Sequence, residues 1–471
     1  MEFWKVAHPD DAPAAIDARS GKVWCYHDLQ RDVAQAEAAI PGLGRKSLGL
    51  LIAQNCYPCL VTYLAALASG SALILLDGSL NPDLLSDFLA TYEPDWVFTL
   101  GSQAPPTGYR AGSSSLAGLY VREHFGDLVA IHPDLALLLT TSGSTGSPKL
   151  VRLTHGNLAA NAGSIANYLQ LTSDERAITS LPMAYSYGLS VINSHLVLGA
   201  SVVLTDDSVL QREFWSALDR YTCTSFAGVP YTYQMLLQTG LLKSKGATLR
   251  TLTQAGGRLE EAYIRQMHEL ALARGWKFFV MYGQTEATAR ISYVPFEQLG
   301  TKIGSVGVAI PNGALWVDDA SEELVYQGPN VMQGYAECRT DLARGDELQG
   351  VLRTGDLGRR DEDGYFYITG RLKRFLKIFG KRFNLDDAEK ILARRCEAPV
   401  ACFGRDDLLM AAVEEGANSS RIHATICETF ALPRPAVKVV VMPNMPRTPN
   451  GKLDYRRLAE AAQVLGEAVV S

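Results

Sequence analysis

Short apolar runs alternate with segments of helical periodicity through roughly the first 290 residues. Residues 47–53 precede a helical stretch over 56–69, residues 72–76 precede another over 81–92, and a further apolar run covers 95–100. The same pairing recurs as 201–205 with 208–221, 224–227 with 229–239, and 249–253 with 259–274. Asn81 followed by Pro82 marks a helix start, because the amide caps orphan N–H groups and proline presets the first-turn φ. Apolar strands alternating with helices predict mainly parallel sheets covered on both faces. Segment 101–112, with its glycines, prolines and serines, reads as a surface loop.

The pattern changes near residue 300. Glycines and prolines then punctuate short strand-like runs at 324–326, 351–353 and 365–369, which predicts a β-rich subdomain over about 300–370. Beyond Arg371 strands and helices continue in a smaller α+β unit. Its expected elements are a strand at 375–379, a helix at 385–395, strands at 400–403 and 409–414, a helix at 420–430 and a strand at 437–442. The expected fold class is therefore α/β: a large N-terminal domain, 1–371, of mainly parallel sheets with helices and the β-rich subdomain, and a small α+β C-terminal domain, 372–471.

Length and composition narrow the picture. At ~100–200 residues per domain, 471 residues suit two to four core-bearing units. With 47% hydrophobic and 20% charged residues the chain is neither disordered nor collagenous. The balance of 44 basic and 50 acidic residues gives a net charge of −6, so nucleic acid, which needs a clustered basic face, is not expected as a partner. Met1-Glu-Phe-Trp-Lys5 lacks the pattern of a secretory signal, and no stretch nears ~18 apolar residues. A cytoplasmic-type soluble protein without a membrane span is expected. Of the eight cysteines only Cys56 and Cys59 have motif spacing, and they open an apolar helical run where sulfur packs. The histidines and cysteines form no zinc-type cluster.

The sharpest chemical feature follows the apolar run 135–139: Thr140-Thr-Ser-Gly-Ser-Thr-Gly-Ser-Pro-Lys149. Glycines let backbone N–H groups approach a polyphosphate, hydroxyls donate, and the lysine supplies charge. It is not a Walker A loop, since Pro148 precedes the lysine and Leu150 follows it.

This loop resembles the phosphate loop of the AMP-forming acyl-adenylate superfamily, which holds acyl-CoA synthetases, nonribosomal peptide adenylation domains and luciferases. Five further segments agree, in order: Ala255-Gly-Gly-Arg258, Tyr282-Gly-Gln-Thr-Glu286, Glu323 through Gly328-Pro-Asn-Val-Met-Gln-Gly-Tyr335, Arg353-Thr-Gly-Asp-Leu357 with Gly370-Arg371, and Pro446-Arg-Thr-Pro-Asn-Gly-Lys452. The resemblance runs from about Cys25 to Leu458.

The resemblance implies roles. Thr141, Ser142, Gly143, Ser144, Thr145, Gly146 and Lys149 would hold the β- and γ-phosphates of ATP. Gly256, Gly257, Arg258, Tyr282 and Gly283 would border the adenine. Asp356 would accept from both ribose hydroxyls, with Arg371 assisting. Thr285 would meet the α-phosphate, and Glu286 would ligate Mg²⁺, a hard cation suited to oxygen ligands shared with phosphate. Lys452 would lie between the substrate carboxylate and the α-phosphate, lowering their repulsion in the transition state. Lys373 would be a hinge and Gly380 would line a thiol tunnel.

The acyl pocket would involve Tyr185, Gly188, Ala255, Ala289 and Arg290. Tyr185 stands where many acyl-CoA synthetases have histidine. Gly188 falls about where α-amino-acid domains have an aspartate, which argues against an amino-acid substrate. Arg290 either pairs with a second polar or acidic group of the substrate or makes a structural ion pair. The implied reaction converts a small carboxylic acid and MgATP to acyl-AMP and pyrophosphate, then moves the acyl group to a phosphopantetheine thiol. With 19 residues after Lys452, too few for a carrier domain, that thiol is expected to come from CoA or a separate carrier protein. The alternatives are transfer to an amine, adenylation of an amino acid for a carrier in trans, and a nucleotide sensor without chemistry.

Overall fold

The computed structural model describes residues 2–80, 82–101, 105–113, 115–125, 129–140, 149–372, 374–378, 381–396, 398–405, 407–430, 432–448 and 452–467. The loop 141–148, Asn81, Lys373 and Gly380 therefore lie outside the described residues.

Contacts divide the chain into two compact units, residues 1–315 with 326–352, and residues 316–325 with 353–471. Among the described residues the larger unit holds two sheets. One runs, in spatial order, Val308–Ala309, Ser292–Tyr293, Lys277–Tyr282, Thr251–Gln254, Ser225–Gly228, Arg176–Ile178, Ser201–Leu204, Pro13–Asp17 and Val23–Cys25. Its central pairings, from Lys277–Tyr282 through to Pro13–Asp17, are parallel. The other sheet runs Gly334–Ala336, Leu150–Thr154, Leu135–Thr140, Ala72–Asp77, Leu48–Ala53, Trp96–Phe98, Leu119–Arg122 and Tyr109–Ala111. Strand Leu48–Ala53 is parallel to both neighbours, and its continuous apolar sequence fits a strand buried on both faces. Helix Tyr57–Ala68 supplies Leu60, Tyr63, Leu64 and Leu67 to the same core. Cys59 is fully buried within it, in line with a packing role.

One element departs from the expected pattern, and two helices lie where no element was expected. Tyr109–Ala111 is a strand within the segment expected to be loop; it pairs with Leu119–Arg122 and covers that edge. Helix Ser186–Leu196 is buried on nearly every side, so no polar face marks it. Helix His155–Tyr168 starts at a capping box, with Thr154 Oγ1 accepting from the Asn157 N–H at 3.0 Å and Asn157 Oδ1 accepting from the Thr154 N–H at 2.9 Å.

The smaller unit contains the hairpin of Val351–Arg360 and Phe366–Arg371, and a three-stranded sheet of Ala401–Arg405, Leu408–Glu414 and Val437–Met442. Leu392, Cys402, Leu409 and Ile426 fill its core. Helix Leu385–Arg395 packs on strand Phe366–Arg371, and the Leu372 N–H donates to Gly355 O at 2.7 Å. Those contacts group the hairpin with the C-terminal residues. The expected β-rich subdomain at 300–370 is thus divided, because Gly334–Ala336 is instead an edge strand of the larger unit.

Candidate active site

The ends of the phosphate loop are neighbours in space. Strands Leu135–Thr140 and Leu150–Thr154 pair antiparallel with Thr140 opposite Leu150, so residues 141–149 connect adjacent strands. On the other side of Leu150–Thr154, Tyr335 pairs with Val151. That register brings the Lys149 Nζ 3.9 Å above the Tyr335 ring and 3.6 Å from Glu337 Oε1. The Tyr335 hydroxyl in turn donates to Glu286 Oε1 at 2.8 Å. Burial and the adjacent Glu286 carboxylate push the Tyr335 phenol well above its usual pKa, so it remains a proton donor. Lys149 and Glu286, far apart in sequence, thus meet through one tyrosine. Tyr335 was visible only as a motif letter, with no role attached.

Glu286 lies in the turn Thr285–Ala287 after strand Lys277–Tyr282. The Thr285 Oγ1 is 3.2 Å from Ser186 Oγ, at the first residue of helix Ser186–Leu196. Tyr282 is half-buried, and its hydroxyl accepts from Gln284 Nε2 at 3.2 Å. A Cβ on Gly283 would lie 1.8 Å from Ala289 O, so the strand end passes directly under the turn that follows it. Gly256 has φ +84°, and a Cβ there would come within 2.5 Å of the Tyr185 hydroxyl. Gly257 and Arg258 are exposed, whereas Ala255 and Ala289 are buried.

The turn is held in an uncommon conformation, with φ +59° at Thr288 and +145° at Ala289. Asn330, 1% exposed, secures it. Its Nδ2 donates to Ala287 O and Arg290 O, both at 2.8 Å, while its Oδ1 accepts from the Tyr326 hydroxyl at 2.8 Å. The Thr288 hydroxyl donates to Asn330 O at 2.6 Å. Sequence reasoning missed this residue, because an asparagine after Gly-Pro reads as a turn former.

Two expectations for the acyl pocket change. Gly188 does not face open space: a Cβ there would lie 2.2 Å from Pro182 O and 2.9 Å from Leu181 O. Close backbone packing, rather than the chemistry of an incoming acid, excludes a side chain at 188. Arg290 is 2% exposed, and among the described residues no carboxylate pairs with it, so the structural ion pair is not formed.

In the smaller unit Asp356 and Arg371 are register partners across the hairpin. Arg371 Nε donates to the buried Asp356 Oδ1 at 2.9 Å. Beside Lys452, Arg447 and Leu453 form an isolated antiparallel bridge. The Thr448 N–H donates to Lys452 O at 2.8 Å, and the Lys452 N–H donates to Thr448 Oγ1 at 3.2 Å. Among the described residues no helix is long and apolar enough to cross a membrane, and no group of three His, Cys, Asp or Glu side chains could hold a metal by itself. Mg²⁺ commonly uses one or two carboxylates and takes its other ligands from substrate phosphates and water, so Glu286 beside the phosphate-loop lysine fits it.

Residues 2–336 match the family model described as AMP-binding enzyme. A feruloyl-CoA synthase of Amycolatopsis is 29% identical over 412 residues, covering 83% of this chain and 82% of that protein. An indoleacetate–CoA ligase of Aromatoleum aromaticum is 30% identical over 396 residues, covering 77% and 74%. Among solved structures, O-succinylbenzoate coenzyme A synthetase from Bacillus subtilis, in complex with ATP and magnesium ion, superimposes with a TM-score of 0.77 at 21% identity, covering 97% of this chain and 99% of that one. The nucleotide-loop register, the Glu286 turn and these similarities converge: the chain belongs to the AMP-binding enzyme family and is an AMP-forming acid–thiol ligase.

Proposed function

We propose that the chain activates a small carboxylic acid as acyl-AMP and transfers the acyl group to the thiol of CoA. The observation that carries this reading is the Lys149–Tyr335–Glu286 cluster at the foot of the phosphate loop. A cation, a neutral phenol donor and a carboxylate there suit a nucleotide triphosphate bound with Mg²⁺. When bound, Mg²⁺ supplies charge neutralisation on the phosphate oxygens. In the first half-reaction a carboxylate oxygen attacks the α-phosphorus, the bond to the bridging oxygen breaks, and pyrophosphate leaves. Lys149 and the loop hydroxyls hold the departing anion; Thr285 meets the α-phosphate; Lys452 offsets repulsion between the two anions. An ionised carboxylate accepts about four hydrogen bonds, so pairing with Arg371 is compatible with Asp356 also accepting from ribose hydroxyls. In the second half-reaction the thiol sulfur attacks the acyl carbonyl, the carbonyl–oxygen bond to AMP breaks, and the thiol proton is released.

A separate carrier protein presents the same phosphopantetheine arm, and is the finer alternative to CoA. Transfer to an amine finds no support among the CoA ligases to which the chain is similar. The need for ATP and CoA favours the cytoplasm. The test is incubation with MgATP, CoA and a panel of carboxylic acids. Acyl thioester, AMP and pyrophosphate in equal amounts are expected; ADP as the main nucleotide product overturns the reading.

A further inference from the structure

We propose that Arg290 receives a second anionic group of the acid substrate, so that dicarboxylic acids are the preferred class. This rests on the acid-activating reading above. The Arg290 side chain is 2% exposed, its Nε–H has no partner, and one Nη1–H reaches the Ala289 carbonyl at 3.3 Å. A buried charge left without a counter-ion is strongly disfavoured. Partial compensation comes from the Tyr187 ring, 4.1 Å from the guanidinium carbon, and from the neighbouring Tyr168 hydroxyl. Neither neutralises the charge. The carboxylate of Glu175, which reaches the cavity-lining Ser225, is engaged there, accepting from Thr224 and Ser225 and pairing with Arg250 at 3.7 Å.

Arg290 lines an interior cavity together with Ser190, Ser194, His195, Thr253 and Met281. Three of these lie on helix Ser186–Leu196, whose first residue touches Thr285. At 1.5 Å rise per residue, Ser190 stands about 6 Å along the helix from Ser186. The cavity is therefore placed to take the far end of a short acid whose reacting end lies at Thr285. Burial keeps His195 neutral, so Arg290 is the cation of this cavity. The strained Thr288–Ala289 backbone, fastened by Asn330, directs the arginine inward rather than to solvent. An anionic substrate group supplies the missing counter-charge, and a plain alkyl chain leaves it unpaired.

The test compares kcat/KM for pyrophosphate release with chain-matched acids: succinate against butyrate, glutarate against valerate, adipate against hexanoate, and succinate against its monomethyl ester. The wild type is expected to favour at least one diacid over its partner by roughly 10²-fold or more, a floor below the ~10⁴–10⁵ by which a site with a buried polar group left unpaired discriminates. Arg290→Met is expected to bring that ratio close to one, and Arg290→Lys to restore part of it. Wild-type turnover of monoacids equal to or better than that of every diacid overturns the proposal while leaving acid activation intact. A ratio unchanged in Arg290→Met overturns it too, assigning the arginine to structure. Absence of pyrophosphate with every acid overturns both readings together.

Discussion

Replacing Asn330 by alanine tests whether one buried amide holds the catalytic turn. The substitution removes both donors to the Ala287 and Arg290 carbonyls and the acceptor of the Tyr326 hydroxyl, each at 2.8 Å. The site is dry, with Asn330 at 1% and Tyr326 at 0% exposure, so water does not readily replace the lost partners. A buried polar group stripped of its partner costs about 1–3 kcal/mol, which from the lower half of that range gives roughly 3–6 kcal/mol for three groups. Relaxation of Thr288 and Ala289 from their positive φ values returns some of this, since such residues each store about 1–3 kcal/mol. That same relaxation moves Glu286 and Arg290. Activity is therefore expected to suffer more than stability, with kcat/KM falling at least ~10²-fold, as when a positioned transition-state contact is lost. Urea unfolding followed by tryptophan fluorescence reads mainly the larger unit, because Trp4, Trp24, Trp96, Trp215 and Trp276 all lie in it. Tyr326→Phe is the control: it removes one bond and costs about 1 kcal/mol. If Asn330→Ala unfolds within ~1 kcal/mol of the wild type and keeps its kcat/KM, the turn does not depend on this amide.

Tyr335→Phe keeps the ring beneath Lys149 but loses the bond to Glu286. A hydrogen bond to a charged group contributes about 1.5–3 kcal/mol, so KM for MgATP should rise roughly tenfold or more; an unchanged KM would separate Tyr335 from nucleotide binding. Gly188→Ala places a methyl against Pro182 O and should cost about 1–3 kcal/mol of stability. A neutral effect on unfolding, with altered acid preference, would return that position to the pocket wall. Burial holds the imidazoles of His155 and His195 below their usual pKa, while in the unfolded chain they titrate near ~6.5. Below that pH the unfolded chain binds protons that the folded one does not. Their contribution to stability is complete above pH ~6.5 and falls as pH drops through it, by at most about 1.4 kcal/mol per pH unit for each. Urea midpoints at pH 7.5 and 5.5 should therefore differ less in His195→Gln than in the wild type, and equal differences would contradict the assignment.

Which parts of the molecule were legible in the sequence follows from the range of the forces involved. Strand Leu48–Ala53, helix Tyr57–Ala68 and helix Leu385–Arg395 follow from local apolar runs and helical spacing. Lys149, Glu286 and Asp356 stood out because their chemistry is carried by adjacent letters. What brings Lys149 and Glu286 together is not local. Tyr335 reaches Glu286 through the pairing of Gly334–Ala336 with Leu150–Arg152 and through the Met332 N–H, which donates to Glu286 O at 2.9 Å. Asn330 acts on carbonyls of a turn forty residues earlier, with |i−j| of 43 and 40. Helix Ser186–Leu196 lacks an amphipathic period because neighbours cover it on nearly every side. The space around Gly188 is decided by backbone atoms of Leu181 and Pro182, which no side-chain pattern encodes.

The central claim is that the acid's own oxygen attacks the α-phosphorus of ATP before a thiol takes the acyl group. Labelling both carboxyl oxygens of the preferred acid with ¹⁸O and running the complete reaction to a single turnover tests it directly. Attack by carboxylate followed by thiol displacement leaves one labelled oxygen in each AMP phosphate, and mass spectrometry of the nucleotide should find it. AMP without label, or label in inorganic phosphate accompanied by ADP, would contradict the mechanism.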